Sequence, residues 1–323
     1  MAQGSEDMKF AVIGHIVLDT IVTRNRKEIR SYGGIFFSLA SLATLASPDD
    51  VIYPVFGIGK EDYPSLLTKL QTYPNIDPSG IYPFEGFTNS VHIEYGEYNR
   101  RVECSRNIAE PIAFSSIEKY LNVDGILINM ISGFDITIDT LDAIRMATRN
   151  RNTPIHLDIH SLALGIKEDF TRYYRPLPEW RRWCFMIDTV QMNEDEAANI
   201  SLDNDPEDRL VKGIFALGAN RVLITRGERG ATMYSIDQKN IVRRDQPPHP
   251  VKRGIDPTGS GDVFGAAFFL EYARTHDEAR ALEFAARAGA ANATYPGSTG
   301  IDRLPELIGI SPLSHGKNTR SSL

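Results

Sequence analysis

The chain has 323 residues and a formal net charge of -7, with 42% hydrophobic and 24% charged residues. This composition is that of a globular protein with one large or two ordinary domains, and it excludes disorder over most of the chain. The negative charge argues against unspecific binding to nucleic acid or anionic membranes, although backbone N–H groups and a few local cations can still bind a phosphate.

The ends of the chain and its cysteines predict a cytoplasmic protein. The first seven residues are polar and acidic, without the apolar core of a signal peptide. No apolar run reaches the ~18 residues that indicate a membrane-spanning helix. The two cysteines, Cys104 and Cys184, are far apart and lack a metal-ligand spacing. Two free thiols in a reducing compartment are the simpler interpretation, and a single disulfide is the alternative.

Strands and helices alternate along most of the chain. Strands are predicted at 10–13, 51–58, 125–130, 155–159, 186–192 and 221–225, and helices at 35–46, 63–70, 138–148, 194–200, 264–272 and 281–293. The strands are short continuous apolar runs, which is typical of strands buried on both faces. The pattern predicts an α/β fold with three layers, α/β/α, and a mainly parallel central sheet.

Residues 88–102 follow a different pattern. Apolar Val91, Ile93 and Tyr95 alternate with polar residues or glycine. A period of two predicts antiparallel strands with one covered and one solvent-exposed face. We therefore expect a small β layer outside the main sheet. The polar residues after about 311 predict a flexible tail, 311–323.

The run Asp-Pro-Thr-Gly-Ser-Gly-Asp at 256–262 leads directly into a predicted helix. Glycines at alternate positions and the unpaired N–H groups of a helix start form an anion hole suited to a phosphate oxygen. Asp262, beside that hole, can accept the proton of a substrate hydroxyl during phosphoryl transfer. A lone Asp there is more often just a favourable helix N-terminus, but Gly259, Ser260 and Gly261 before it favour a catalytic role.

The same run resembles the C-terminal signature of the PfkB family of ribokinase-like carbohydrate kinases, with Ser260 where alanine is commoner. The resemblance extends over roughly residues 8 to 305. It implies transfer of the γ-phosphoryl of ATP to a hydroxyl, with Mg²⁺ as cofactor and a small β-sheet lid on a ribokinase-like core. The implied division is 8–18, 34–86 and 108–310 for the α/β domain, 19–33 and 87–107 for the lid, and 311–323 for the tail.

For the acceptor, the resemblance points to residues near the first strand. Asp19, in Gly14-x-x-x-x-Asp19, matches the aspartate with which the family holds substrate hydroxyls. Gly33-Gly34 resembles the paired glycines where the backbone approaches the substrate. Ser38 stands where sugar kinases of the family often have an asparagine.

Two bulky residues leave the identity of the acceptor substrate undecided. Phe36 and Phe37 lie between the glycine pair and Ser38. If they line the pocket, they suit a nucleobase or another flat group better than a bare sugar, while the commoner interpretation is that both are core residues of the helix. A sugar, a nucleoside and a cyclic polyol such as inositol therefore all remain as acceptors.

For the donor, the resemblance points to two later motifs. Asn193-x-x-Glu196 matches the element that organises Mg²⁺ and its waters near the triphosphate, and an exposed acidic helix start is the alternative. Thr225-x-Gly227-x-x-Gly230 resembles the turn that lines the nucleotide. Arg226, within it, reaches either a phosphate or solvent, and we favour solvent.

The helix at 281–293 and the turn at 295–297 resemble the wall beside the adenine. Asp256 and Thr258 stand where some relatives bind a monovalent cation, so K⁺ is a further candidate beside ATP and Mg²⁺.

The predicted lid has two further implications. Relatives often pair their lids into a homodimer, and a lid that closes would exclude water from the site. Arg100, Arg101 and Arg106 lie in or near this lid, where a solvated face is the favoured interpretation and an anionic substrate the alternative.

Two other functional classes compete with the kinase. A ligand-binding regulator on the same fold could have lost turnover, although the retained Asp262 and glycine loop argue against it. A dinucleotide-dependent oxidoreductase would carry Gly-x-Gly-x-x-Gly after the first strand, and that motif is missing at Gly14.

Overall fold

Nine strands form the central sheet of the computed structural model, which describes residues 7–22, 26–95, 101–185, 187–251 and 254–310. The predicted tail at 311–323 lies outside these ranges. The strands are β1 (Lys9–Ile13), β2 (Ile16–Val22), β3 (Glu28–Gly34), β4 (Val51–Gly59), β5 (Ile81–Phe84), β6 (Ser90–Tyr95), β7 (Arg101–Arg106), β8 (Gly125–Asn129), β9 (Ile155–Asp158), β10 (Leu164–Ile166), β11 (Arg172–Tyr174), β12 (Thr189–Asn193), β13 (Arg221–Thr225), β14 (Ala231–Asp237) and β15 (Asn240–Gln246). The helices are α1 (Ile35–Leu45), α2 (Tyr63–Leu70), α3 (Phe114–Ile117), α4 (Ile138–Thr148), α5 (Trp180–Trp183), α6 (Glu194–Asn199), α7 (Glu207–Ala216), α8 (Ser260–Thr275), α9 (Glu278–Asn292) and α10 (Leu304–Leu307).

The order of strands in the central sheet is β15-β14-β13-β12-β9-β8-β1-β4-β5. All pairs from β13 to β5 are parallel, and β14 and β15 join antiparallel. The carboxyl ends of the parallel strands therefore share one edge, where open α/β sheets bind their ligands. The predicted mainly parallel sheet is confirmed.

Helices α1 and α8 cover the sheet next to that edge. All five residues of β8 are buried, as are four of the five in β1. The ring of Phe10 on β1 meets the ring of Phe269 on α8 edge-on, with centroids 5.3 Å apart. This contact packs the second half of α8 against the beginning of β1.

A separate four-stranded sheet, in the order β3-β2-β6-β7, forms the predicted small β layer. Ile21 and Ile93 are buried on one face, while His92 and Glu94 are exposed on the other, as the period of two requires. The outer pairs are antiparallel, whereas β2 and β6, which come from separate chain segments, run parallel. The boundaries proposed for a lid, 19–33 and 87–107, stay a prediction.

Several elements differ from the sequence prediction. Helix α8 begins at Ser260, before the predicted 264, because the glycine loop itself turns into the helix. The predicted strand at 186–192 begins at Thr189, and residue 186 lies outside the described ranges. Helix α7 and the β14–β15 pair were missed, although the buried residues of α7 repeat with helical spacing (Leu210, Val211, Ile214 and Phe215).

Candidate active site

The N-cap of helix α8, Gly259, is a position that requires glycine. Gly259 has φ 75°, in the left-handed region, and a Cβ there would stand 2.2 Å from the ring of Phe37. The loop is therefore pressed against α1. At Gly261, among the described residues, no heavy atom lies within 4 Å of the position a Cβ would take. The loop thus packs on one side and faces open space on the other.

Buried side chains fix this loop from below. Asp256 accepts hydrogen bonds from the backbone N–H and hydroxyl of Thr258, at 3.0 and 2.6 Å, and from the backbone N–H of Gly297 at 2.8 Å. Asn292 donates to the carbonyl of Thr258 at 2.8 Å and to the hydroxyl of Ser260 at 3.3 Å. Asp256 and Thr258 therefore shape the loop, and their binding of a monovalent cation stays a prediction.

Asp262, in the first turn of α8, is buried with 7% of its surface exposed. The side-chain N–H₂ of Asn129, the last residue of β8, donates to Asp262 Oδ1 at 2.6 Å and to Ser38 Oγ at 3.3 Å. The structure thus brings the predicted Asp262 and Ser38 together through a residue that the sequence analysis missed. The available signal was a single polar residue at the end of a buried apolar strand.

The other predicted acceptor residues lie between the small sheet and α1. A Cβ on Gly33 would stand 1.8 Å from Oδ2 of Asp19, so this buried carboxylate lies directly on the Gly33 backbone. Gly34 is the N-cap of α1, one turn before Ser38. Asp19, Gly33 and Gly34 are thus joined to Ser38 by the start of a single helix.

Phe36 and Phe37 belong to the core. Each has 1% of its surface exposed. The Phe36 ring centroid is 5.5 Å from that of Tyr32 and 6.5 Å from that of Tyr73. Phe37 fills the space against Gly259. The rings therefore set the position of α1 and the loop. These contacts do not support a role for Phe36 and Phe37 as an aromatic wall of a substrate pocket.

On the donor side, Asn193 and Glu196 form a reciprocal helix cap at the start of α6. Asn193 Oδ1 accepts from the backbone N–H of Glu196 at 2.8 Å, and Glu196 Oε2 accepts from the backbone N–H of Asn193 at 2.7 Å. The Asn193 amide also donates to Glu196 Oε1 at 2.7 Å. Glu196 is buried, so the interpretation of an exposed acidic helix start is wrong for this residue.

Asp158, at the end of β9, is a second residue that the sequence analysis missed. The amide of Gln191 on β12 donates to Asp158 Oδ2 at 2.8 Å and to the carbonyl of Gly261 at 3.0 Å. Asp158 is thus linked to the glycine loop. Burial raises the pKa of Asp158 well above its usual range, and the charges of Glu196 and Asp262 add to this effect.

Buried carboxylates on α6, α8 and β9 interact electrostatically around the loop. Burial raises the pKa of Glu196 to about 7; His160 opposes the rise and Asp262 adds to it. A divalent cation would offset this concentration of negative charge, and oxygen donors suit Mg²⁺. Among the described residues, no three acidic, histidine or cysteine side chains are close enough to hold a metal ion directly. The residues present therefore fit Mg²⁺ held through water and phosphate oxygens.

The turn after β13 contains the predicted nucleotide residues. Thr225 ends β13, and Gly230 ends the turn against the carbonyl of Gln246. Gly227 begins the turn, and no heavy atom of the described residues lies within 4 Å of the position a Cβ would take there. Arg226 donates from Nη2 to Glu207 Oε1 at 2.5 Å, and its side chain is only 16% exposed. The interpretation of Arg226 as a solvated charge is therefore wrong, because α7, missed from sequence, supplies its partner.

Other predicted residues lie at the edges of the site. Arg106 is exposed over the ring of Phe170, on the outer face of the small sheet. Arg100 and the side chain of Arg101 lie outside the described residues. The turn at 295–297 contacts the small sheet, since a Cβ on Gly297 would stand 2.6 Å from Ser31 Oγ. Cys104 and Cys184 are free thiols, as the simpler interpretation expects.

Comparison with known proteins agrees with this geometry. Residues 170–305 match the family described as pfkB family carbohydrate kinase. The cytidine kinase of Thermococcus kodakarensis is 27% identical over 288 residues, 87% of this chain and 93% of that protein. The ribokinase of Bacillus subtilis is 28% identical over 220 residues, 66% of this chain and 64% of that protein.

Solved structures of ribokinase-like kinases share the fold. Arabidopsis thaliana ribokinase, complexed with ribose and ATP, has a TM-score of 0.71 at 17% identity, covering 94% of this chain and 100% of that one. A pyrophosphate-dependent kinase of the ribokinase family has a TM-score of 0.73 at 18% identity, covering 90% and 96%.

The fold is that of ribokinase-like kinases, and residues 170–305 resemble the pfkB family of carbohydrate kinases. The resemblance to the PfkB family, predicted from the sequence, is thereby confirmed, and so is the prediction of an enzyme of the kinase class. Within the described residues, no helix has the length and apolar character needed to span a membrane.

Proposed function

We propose that the chain transfers the γ-phosphoryl of ATP to a hydroxyl of a sugar or nucleoside. The observation that carries the proposal is the position of Asp262. Its carboxylate lies at the start of α8, beside the Gly259–Gly261 loop, and is hydrogen-bonded to Asn129 at 2.6 Å. A base and an anion hole thus stand side by side, as phosphoryl transfer to a hydroxyl requires.

Each group has a defined task in this reaction. Asp262 accepts the proton of the attacking hydroxyl. The N–H groups at the start of α8, with the positive end of the helix dipole, stabilise the charge on the transferred phosphoryl. Asp19, fixed on the backbone of Gly33, orients the acceptor through its hydroxyls.

The cofactor expected beside ATP is Mg²⁺. Glu196 would hold it through water, with Asn193 beside it, because the oxygens of Glu196 already accept hydrogen bonds within the helix cap. When bound, Mg²⁺ neutralises phosphate charge during transfer. Thr225, Gly227 and Gly230 would line the nucleotide.

The acceptor class rests on the relatives. Similarity to a cytidine kinase over 87% of the chain supports a nucleoside, and similarity to a ribokinase supports a sugar. The alternative is a cyclic polyol: a solved neighbour of similar fold is a pyrophosphate-dependent kinase complexed with a pyrophosphate analog and myo-inositol. A cytoplasmic location, a homodimer through the small sheet and activation by K⁺ belong to the same proposal.

The test measures phosphoryl transfer with purified protein and Mg²⁺. Ribose, cytidine and myo-inositol are offered as acceptors, and ATP and pyrophosphate as donors. With ATP and the preferred acceptor, Asp262→Asn should lower kcat by about 10²- to 10⁴-fold while ATP binding persists. The control is Asp205→Asn, at an aspartate that is also 7% exposed but bonded to Ser201, away from the loop.

The outcomes separate the alternatives. Full turnover by Asp262→Asn would show that the assigned base is wrong. Nucleotide binding without turnover on any acceptor would favour a catalytically silent sugar- or nucleotide-binding relative. Preference for pyrophosphate would overturn the choice of ATP while leaving the role of Asp262 intact.

A further inference from the structure

Asn129 is the buried side chain that joins the two halves of the acceptor site. It ends β8, has 1% of its surface exposed, and donates from one nitrogen to both Asp262 and Ser38. These partners are 133 and 91 residues away in the chain, on α8 and α1. Among the described residues, its amide is therefore the direct link between the predicted base and a predicted acceptor residue.

The backbone around Asn129 is fixed as firmly as its side chain. A Cβ on Gly14 would stand 2.4 Å from the Asn129 carbonyl oxygen, so the chain just after β1 lies close against the end of β8. That carbonyl also accepts the backbone N–H of Ile131 at 3.0 Å. A side chain held by its backbone in this way can in turn hold its partners.

The remaining oxygen of this amide is available to a ligand, because it lies beside Asp262 and Ser38. Asn129 Oδ1 is buried and has no hydrogen-bond partner among the described residues. Leaving a buried acceptor unsatisfied costs about 1–3 kcal/mol. A hydroxyl of a bound acceptor, placed between Asp262 and Ser38, could donate to it.

We propose that Asn129 is a positioning residue: its amide holds one oxygen of Asp262 so that the other faces the acceptor hydroxyl, and its bond to Ser38 keeps the acceptor pocket in register with this base. The inference rests on the proposed function. It adds a requirement for an uncharged hydrogen-bond donor at residue 129. None of the predicted motifs contains this residue.

The surrounding charges explain why an uncharged donor fits. Asp158 on β9 and Glu196 on α6 are buried carboxylates whose charges interact with that of Asp262. A further carboxylate at residue 129 would add repulsion at hydrogen-bond distance and favour the protonated base. An amide donates to the carboxylate without adding negative charge.

The experiment measures kcat, KM and the pH dependence of kcat/KM with the preferred acceptor. Asn129→Leu, which removes the donor to Asp262 and Ser38 together with the remaining oxygen, should lower kcat by about 10- to 100-fold and raise the acceptor KM, with less than about threefold change in the KM for ATP. Asn129→Asp should move the acid limb of the profile upward by about one pH unit or more, which loss of folded protein alone would not do.

The matched control is Asn75→Ser. Asn75 is also buried, donates only to backbone carbonyls, Ala43 at 2.9 Å and Ser47 at 3.2 Å, and likewise has a side-chain oxygen without a partner among the described residues. This variant should keep the wild-type acid limb even if it is less stable. A shift in the control equal to that in Asn129→Asp would assign the effect to stability and overturn the inference.

The results also separate the inference from the proposed function. If Asp262→Asn is inactive while both Asn129 variants keep wild-type kcat and pH profile, the base stands and the positioning role is wrong. If Asp262→Asn keeps full activity, the proposed base is wrong whatever the Asn129 variants do. A lower kcat in Asn129→Leu, together with an upward shift of the acid limb in Asn129→Asp, supports both the proposed base and the positioning role of Asn129.

Discussion

The proposed acceptor side and the proposed donor side of the site are built by different means. On the acceptor side, Asp19, Ser38 and Asp262 are all buried, and glycines let other groups pack directly on the backbone. On the donor side, a helix cap at Asn193 and a turn at 225–230 present backbone, while the neighbouring charged side chains bond to one another.

This difference suggests where function should be sensitive to substitution. On the acceptor side, single side chains fix reacting groups, so small added volumes should displace them. On the donor side, backbone groups would meet the nucleotide, so loss of a charged side chain should change stability more than binding. The predictions below test this contrast in order of expected effect.

The largest effect is expected for Gly33→Ala. The new Cβ would stand 1.8 Å from Asp19 Oδ2, so the carboxylate must move. Displacement of a positioning group by about 1 Å can cost about 10²-fold, and we expect that loss in kcat/KM for the acceptor, with the KM for ATP nearly unchanged. Gly254→Ala, where among the described residues nothing lies within 4 Å of the new Cβ, is the control. Acceptor kcat/KM within threefold of wild type would contradict the packing argument.

A smaller effect, on stability, is expected for Gly259→Ala. A side chain at φ 75° is strained and overlaps the Phe37 ring, so the free energy of unfolding should fall by about 2–4 kcal/mol. Denaturant unfolding measures this loss. Phe37→Leu in the same chain should recover part of it, because the two changes share one contact. Strict additivity in this double-mutant cycle would show that strain in φ, rather than the ring, dominates.

The sequence was most informative where chemistry depends on neighbours in the chain. The loop at 256–262 contains its glycines and the proposed base in one run, so its position at a helix start could be predicted. Asn129, Asp158 and Gln191 could not be found in this way, because each is one polar residue on a different strand. Their contacts with Asp262 or Gly261 span 133 residues for Asn129 and 70 for Gln191, and only the parallel sheet brings these ends together.

The contacts of individual side chains also could not be predicted from the sequence. The prediction for Arg226 failed because its partner, Glu207, lies on a helix that had been missed. Phe36 and Phe37 could be core or pocket residues until α1 was placed against the loop and Tyr32.

Lowering the pH tests the stability of the core beneath the acceptor side and the donor side. His156 on β9 is buried, and its ring packs against those of Phe268 and Phe269 of α8. Burial lowers the pKa of His156 to about 3. Since the unfolded chain takes up this proton near pH 6.5, stability is lost as pH falls below that value, by about 2 kcal/mol between pH 7 and pH 5.

His156→Phe should remove this part of the pH dependence. The buried carboxyls of Asp158 and Glu196 have raised pKa values, which act in the opposite direction, so the quantity to compare is the difference between variant and wild type at each pH. Denaturant unfolding at pH 5 and pH 7 gives that difference. His249→Gln, at an exposed histidine, should leave it unchanged. An identical loss in His156→Phe would mean that His156 is solvated or protonated in the folded protein.

The smallest effects are expected for two arginines on the donor side. Arg226→Ala removes a guanidinium that is 16% exposed and bonded to Glu207 and Thr232, which should cost about 1–2 kcal/mol. Arg229→Ala removes an exposed ion pair with Glu194 and should leave the free energy of unfolding unchanged within the error of the measurement. Neither variant should change the KM for ATP more than about threefold, because both side chains bond to protein carboxylates and the turn at Gly227 would offer the nucleotide its backbone. A tenfold rise in that KM for Arg226→Ala alone would mean that this arginine contacts the donor. Side chains would then govern both sides of the site, and the contrast between them would no longer hold.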